Sequence, residues 1–325
     1  MSAGLASTPV LWMTAIGIVF AAAMVGHCDG VERIRPGEAP SPRLENPSVV
    51  QFVAFGDAGK GNRGQRDVAA AMGKVCGERG CDFGLMLGDN LYQRGFERPD
   101  DPRMRERFDA FYLPLDFPIY GVLGNHDYAT GRDTLRAQWQ VDWALEHNQL
   151  EMPAHFYRFE AGHASFFGLD TNRVFHWGEE EQSAWLARAL PASSSTWKIV
   201  FGHHPYRSNG RHGNAGSYEG WRAPLVGGAP LKRLFDTRLC GHADLYLSGH
   251  DHTLQWLEWC GVDLVVSGAG ATHTPLVDRG NPSKFQTSQL GFAWIRLDKN
   301  MTLAFYDDRG KLLFERVVAP SEEVP

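Results

Sequence analysis

The sequence predicts a mixed α/β sandwich, and two kinds of observation predict it. Five short apolar runs without polar alternation each end in glycine followed by polar residues, with helical patterns among them. Strands buried on both faces read this way, and their alternation with helices implies crossover connections and a sheet covered by helices. Hairpin patterns elsewhere require antiparallel pairing, so the sheet cannot be purely parallel.

The five runs are "VVQFVAFGDAG" (Val49 to Gly59), "DFGLMLGDNLY" (Asp82 to Tyr92), "FPIYGVLGNHD" (Phe117 to Asp127), "WKIVFGHH" (Trp197 to His204) and "ADLYLSGHDH" (Ala243 to His252). Helical periodicity covers Gln65 to Glu78, Arg103 to Tyr112, Asp133 to His147, Glu179 to Leu190 and Pro230 to Leu239. "AHFYRFEAGHASFFGLDT" reads as a hairpin turning at Ala161-Gly162. "GFAWIRLDKNMTLAFYDDRGKLLFERVV" reads as a meander with turns at Lys299-Asn300 and Arg309-Gly310. There is no internal repeat.

With 325 residues, 43% hydrophobic and 22% charged, the chain can bury a substantial core. Its net charge of -6 argues against a nucleic-acid-binding surface, which needs excess Lys and Arg. Residues 1–28 stand apart: no charge falls between Leu5 and Cys28, and Val10 to Val25 is mostly apolar. That length suits a signal peptide or a lipoprotein or membrane leader, although no Lys or Arg precedes it. A Pro-rich linker is expected over 29–47, the main domain over 48–318 and a tail over 319–325. Export follows, to a periplasmic, secreted or membrane-anchored location.

Five cysteines fit this reading. Cys76 and Cys81 form one local pair and Cys240 and Cys260 another, which an exported domain permits to form disulfides. Cys28 follows "VGH", an imperfect lipidation signal. It is either a lipid anchor, giving membrane attachment, or a reduced thiol in a retained leader.

In open α/β sheets ligands bind beyond the carboxyl ends of the strands. The five strand ends offer Asp57, Asp89 with Tyr92, Asn125 with His126, His203 with His204, and His250 with His252. One "GD" or "GN" is an ordinary turn dipeptide. Five together supply a mixed set of oxygen and nitrogen donors, without thiolate, suited to iron, zinc or manganese. Their number exceeds the four a structural zinc needs and fits two metals roughly 3.5–4 Å apart sharing a carboxylate.

The ordered set "GDAG", "GDNLY", "GNHD", "VFGH" and "GHDH" resembles the five motifs of the calcineurin-like metallophosphoesterases. Tyr92, three residues beyond Asp89, is similar to the purple acid phosphatase branch, and the resemblance is strongest to the small tartrate-resistant enzymes. It extends over roughly Val50 to Arg316, with "HFYRF", "QSAWLARAL", "LSGHDHTLQWL" and "VVSGAG" as supporting matches. The resemblance implies a four-layer α/β sandwich of two mixed β-sheets flanked by helices, with a dinuclear metal site at the strand C-terminal ends.

It also assigns ligands: Asp57, Asp89, Tyr92 and His252 at one metal, and Asp89, Asn125, His203 and His250 at the other. A Tyr92 phenolate implies Fe(III), with Fe(II), Zn(II) or Mn(II) at the second position. The implied activity is hydrolysis of phosphate monoesters by in-line attack of a metal-bound hydroxide, with no phosphoenzyme. A metal-dependent phosphodiesterase of the same fold is the alternative. A non-catalytic binding protein should have lost ligands, and none is missing.

His126 and His212 are the expected catalytic residues, and Asn125, His126, Arg207 and His212 the substrate-binding ones. His212 lies nine residues beyond His203, the offset of a proposed acid histidine in the animal enzymes. The expected partner is a small phosphorylated substrate: an aryl phosphate, nucleotide or phosphopeptide. A monomer is expected. One departure matters: the animal enzymes carry a longer cleavable loop after the strand at Leu169-Asp170, whereas "LDTNRVFHWGEEEQSAW" leads almost directly into a helix here. Activation by cleavage there is not expected, and the site should be more open.

Overall fold

The computed structural model describes Met1, residues 34–219 and residues 227–319. In chain order the strands are β1 (Gly37–Glu38), β2 (Val50–Phe55), β3 (Phe83–Leu87), β4 (Ile119–Val122), β5 (Leu150–Glu151), β6 (Tyr157–Ala161), β7 (Ala164–Gly168) and β8 (Trp197–Phe201). They continue as β9 (Leu245–Ser248), β10 (Leu254–Trp259), β11 (Val262–Ser267), β12 (Ser283–Thr287), β13 (Gly291–Leu297), β14 (Met301–Asp307) and β15 (Leu312–Val318). The helices are α1 (Arg63–Arg79), α2 (Ala110–Tyr112), α3 (Thr134–Leu145), α4 (Thr171–Trp177), α5 (Glu180–Ala192) and α6 (Ala229–Leu234). A π-helical turn, Arg105–Asp109, leads into α2, and another, Phe235–Leu239, continues α6.

Two mixed sheets result. One has the order β1-β6-β7-β8-β9-β11-β10-β12 and the other β15-β14-β13-β2-β3-β4-β5. The five runs expected to be buried strands are β2, β3, β4, β8 and β9, and they pair in parallel with one another within each sheet. The predicted meander is β13 to β15, joined antiparallel.

The inner faces of the sheets meet through aromatic rings. Phe52 and Phe83 of one sheet pack edge-on against Phe166 of the other, at 5.4 and 5.2 Å between centroids. Phe159 stacks on Tyr120 at 3.7 Å and on Phe166 at 4.7 Å. All five rings are essentially buried, and truncating one such ring to Ala costs about 3–5 kcal/mol. A second core lies where α4, α5 and α6 cover the eight-stranded sheet, with Val174, Leu186, Leu231 and Leu234 against Phe167 and Val200.

One expectation needs correction. The segment read as a linker packs on the domain over its described part. Gly37–Glu38 pairs with β6, Tyr120 donates to the Pro40 carbonyl at 2.6 Å, and Arg158 pairs with Glu38. The stretch after Asp170 enters a helix at once: Asp170 caps a short helix, α4, by accepting from Arg173 N at 2.9 Å, and α5 follows. Residues 2–28 of the expected leader, Cys28 among them, lie outside the described residues. Among the described residues no helix is long and apolar enough to cross a membrane.

Both expected disulfides form, Cys76–Cys81 and Cys240–Cys260. The second ties the end of the α6 extension to the turn of the β10–β11 hairpin, closing a separation of 20 residues against 5 for the first. Loop-closure entropy then assigns the longer link roughly 3 kcal/mol and the shorter roughly 2. Replacing Cys240 and Cys260 by Ser should lower the thermal midpoint by roughly 5–10 °C in scanning calorimetry. The Cys76→Ser/Cys81→Ser pair should lose less, and an equal or larger loss would contradict the entropic account.

Candidate metal centre

Parallel pairing puts the C-terminal ends of β2, β3 and β4 along one edge of their sheet, and those of β8 and β9 along the neighbouring edge of the other. Asp57, Asp89 and Asn125 leave the first edge; His203, His250 and His252 leave the second. The turns are too tight for ordinary backbone. Asp57, Asp89 and His250 have φ of 57°, 55° and 68°, a left-handed conformation costing of order 1 kcal/mol or more each. Glycines permit the close approach: a Cβ on Gly124 would lie 2.3 Å from Asp89 Oδ1, and one on Gly249 2.6 Å from Asp57 Oδ2.

The donors converge in two overlapping groups. Tyr92 Oη lies 3.1 Å from Asp57 Oδ1, 2.8 Å from Asp89 Oδ2 and 3.3 Å from His252 Nε2. His203 Nε2 lies 3.5 Å from Asp89 Oδ1, 3.0 Å from Asn125 Oδ1 and 3.1 Å from His250 Nδ1. Asp89 therefore turns one oxygen toward each group. Donors each roughly 2.1 Å from a common ion sit about 3.0–3.4 Å apart, so both groups have the chemistry and spacing to hold one metal. One ligand atom from each of Asp57, Asp89 and His203 lies within 4.8 Å of the other two.

Hydrogen bonds aim the rings. His203 Nδ1 donates to the Leu87 carbonyl at 2.9 Å, which leaves Nε2 as the lone-pair atom facing the cluster. His252 Nδ1 contacts Thr272 Oγ1 at 2.9 Å, turning Nε2 toward Tyr92 and Asp57. The two histidines of "GHDH" thus serve different groups. Asp251 between them accepts from the backbone N–H of His212 and Gly213 and so fixes the loop that carries His212.

The site is crowded with buried charge. Burial, then Asp57 and Asp89, raise the Tyr92 phenol well above its ordinary pKa. Burial would raise Asp57 too, but His252 foremost, with His203 and the His250 N–H, holds it below the usual carboxylate range. Burial and the neighbouring histidines drive His250 well below the ordinary value. Behind the donors, Asp127 is fully buried and accepts from the N–H groups of Asn90, Leu91 and Gly124. Burial and Asp89 push it up to about 7.

Of the other expected residues, His126 packs at a tilt of 48° against Tyr92, 4.4 Å between centroids, with Nδ1 on the Gln93 carbonyl and Nε2 3.9 Å from Asp89 Oδ2. His212 packs at a tilt against His250, 4.2 Å between centroids, and directs Nδ1 to the Glu219 carbonyl. Arg207 is not brought to the cluster. Its guanidinium lies 3.4 Å above the ring of Trp259, at the opposite end of β10 from His252, and donates to Asn281. Five residue-to-residue rises separate the ends of β10, Leu254 and Trp259, roughly 17 Å.

Sequence reasoning missed Thr171. Its hydroxyl accepts from His203 N and His204 N and contacts His204 Nδ1 at 2.9 Å, joining α4 to the β8 end. It also missed the buried trio beside it, in which Tyr128 Oη and His155 Nδ1 meet Asp170 Oδ2 at 2.5 and 2.8 Å. The available signal was "GLDT", a sixth polar strand end after β7.

The chain matches the calcineurin-like phosphoesterase family model over residues 50–254. It is 29% identical to purple acid phosphatase 3 of Arabidopsis thaliana over 306 residues, covering 83% of this chain and 79% of that one. It is 28% identical to tartrate-resistant acid phosphatase type 5 of Oryctolagus cuniculus, covering 82% and 90%. A purple acid phosphatase from yellow lupin seeds superposes with a TM-score of 0.65 at 20% identity, over 86% of this chain and 55% of that one. GAP50, described as the anchor in the inner membrane complex of Plasmodium, superposes at 0.69 and 20%, over 85% and 90%, which is likeness of fold alone. With a family match over well above half of its length and a donor cluster at the strand ends, the chain belongs to the calcineurin-like phosphoesterase family.

Proposed function

We propose that the protein is an exported acid phosphatase of the purple type, hydrolysing phosphate monoesters at a two-metal centre. The observation that carries this reading is the division of Asp89, with Oδ2 toward Tyr92 and Oδ1 toward His203. A carboxylate so placed would serve two ions: Asp57, Asp89, Tyr92 and His252 would hold the first, and Asp89, Asn125, His203 and His250 the second.

Tyr92 decides the first ion. A hard phenolate between two carboxylates favours Fe(III), with Fe(II), Zn(II) or Mn(II) at the nitrogen-richer second position. When bound, the pair supplies Lewis acidity to the phosphoryl oxygens and a water acidic enough to react near neutrality.

The chain's own residues do the rest. Asn125 and His126 face the cluster at the end of β4 and orient the phosphoryl group. His212, with Nδ1 on a carbonyl, keeps Nε2 to donate a proton to the departing alcohol or phenol. Arg207 is withdrawn from the substrate site because Trp259 holds it elsewhere. The small phosphorylated substrate is an aryl phosphate, nucleotide or phosphopeptide. Two disulfides support an oxidising, exported location.

Metal analysis and visible absorption of the purified protein test the centre. Two ions including iron, a purple band lost in Tyr92→Phe, and hydrolysis of p-nitrophenyl phosphate in preference to its bis ester are the expected results. Two colourless divalent ions with dominant diesterase activity would move the protein to the diesterase reading.

A second comparison separates ligand from proton donor. Asp89→Ala should lose both ions and at least about 10³-fold in kcat. His212→Ala should keep both ions and lose roughly 10²-fold or more on alkyl phosphates but less on p-nitrophenyl phosphate, whose leaving group needs no proton. Loss of metal from His212→Ala would remove that role.

A further inference from the structure

His212 sits on a loop without helix or strand, Gly210 to Glu219, and its ring has to keep one position if Nε2 is to reach a leaving group. Two bonds orient it. Its N–H donates to Asp251 at 2.8 Å, and its Nδ1 meets the Glu219 carbonyl at 3.2 Å. The first tie is anchored, because Asp251 lies between His250 and His252. The second is only as fixed as Glu219, whose side chain is 68% exposed at the far end of the loop.

One side chain fixes that end. Arg279, on the irregular segment between β11 and β12, is 12% exposed and reaches across the loop. Its Nη1 meets Glu219 Oε1 at 2.9 Å and its Nη2 donates to Glu219 Oε2 at 3.1 Å, a two-pronged ion pair. Nε donates to the Gly210 carbonyl at 2.7 Å, and Nη2 also donates to the Arg211 carbonyl at 2.6 Å. All three guanidinium nitrogens are thus engaged by the two ends of the segment that holds His212. Between those ends Gly213 has φ of 83°, and a Cβ on it would lie 2.8 Å from Arg279 Cζ, so the guanidinium rests directly against the residue after His212.

Arg279 in turn takes its place from the proposed centre. Thr274 N donates to the His252 carbonyl at 2.9 Å and Val277 N to the Asn209 carbonyl at 2.8 Å, which tie its segment to a proposed ligand and to the start of the loop. Asn281, two residues on, donates to the Ser208 carbonyl at 3.0 Å. The clamp and the donor cluster therefore share one frame. An ion pair to so exposed a glutamate adds little to folding stability. What it fixes is geometry, and a displacement of about 1 Å in a catalytic group costs of order 10²-fold in rate.

We propose that Arg279 is a positioning residue for the reaction: by clamping Gly210, Arg211 and Glu219 it holds the His212 ring where Nε2 hands its proton to the leaving oxygen. This rests on the phosphatase reading above and on the role given there to His212. Arg279 acts through His212 and leaves the ions and the substrate untouched.

The test compares the parent, Arg279→Ala, Arg279→Lys, His212→Ala and the Arg279→Ala/His212→Ala pair, all metal-loaded and with metal content measured. Hydrogen exchange followed by mass spectrometry should quicken about tenfold over residues 210–219 in Arg279→Ala and stay unchanged in the peptides that carry Asp57 and Asp89. On glycerol phosphate, whose alkoxide leaves poorly, Arg279→Ala should lose about tenfold or more in kcat, with a smaller loss on p-nitrophenyl phosphate. Arg279→Lys keeps the charge without the fork and should fall between, and it carries the same comparison if Ala unfolds the chain. In the His212→Ala background the Arg279→Ala change should cost less than about twofold, because no ring is left for it to act on. Unchanged exchange over 210–219 overturns the clamp. Loss of metal, an equal loss on both esters, or an undiminished loss in the His212→Ala background overturns the positioning role, since general loosening of the site would give each of these. A metal-loaded parent that hydrolyses neither ester overturns the phosphatase reading and this role with it, whereas an active parent indifferent to Arg279→Ala removes the role alone.

Discussion

Three carboxylates and a phenol share one dry place at the meeting of two sheet edges. Asp57 and Asp127 are fully buried, Asp89 is 2% exposed and Tyr92 4%. Burying one unpaired carboxylate costs several kcal/mol, and two within reach of the same hydroxyl repel. The imidazoles answer only part of this, since burial drives His250 toward its neutral form. Imidazoles, carboxylates and a phenol gathered around shared points form a donor set that asks for multivalent cations. The rest of the site follows from holding that set together.

The scaffold does so by dividing the labour between the sheets. The seven-stranded sheet supplies the oxygen-rich side, Asp57, Asp89 and Asn125, and the eight-stranded sheet supplies the nitrogens of His203, His250 and His252. Neither edge alone can enclose an ion, so the aromatic packing of Phe52, Phe83, Phe159 and Phe166 between the sheets sets the distance across the site as well as the stability of the core. Thr171 extends the arrangement outward. Its hydroxyl holds the backbone after β8, so the position of His203 depends on α4 and on the Asp170 side chain that caps it.

Much of this is legible in the chain because each donor lies within a few residues of a strand end, where local pattern is strong. Asp57, Asp89, His203 and His250 each follow a glycine, and period and composition mark the strands before them. What was not legible depends on side-chain direction or on distant partners. Arg207 follows the ligand loop by four residues, yet its ring partner Trp259 lies 52 positions along. Residues 34–47 have the composition of a linker, but Gly37–Glu38 joins the edge of β6 through backbone bonds that composition does not report. Lys60, three residues past Asp57, looks like an ordinary turn lysine until its place over Tyr92 is seen.

Fold alone does not separate a phosphatase from a structural protein, because an anchor of the Plasmodium inner membrane complex superposes on this chain about as well as a lupin acid phosphatase does. The discriminating feature is strain with no structural return. Left-handed Asp57, Asp89 and His250 weaken the turns that contain them, and two buried carboxylates that share the Tyr92 hydroxyl repel each other. A chain selected only for folding relieves such positions with glycine or asparagine in the turns and with uncharged side chains in place of the facing carboxylates. Keeping all of them makes physical sense where ion binding offsets their cost.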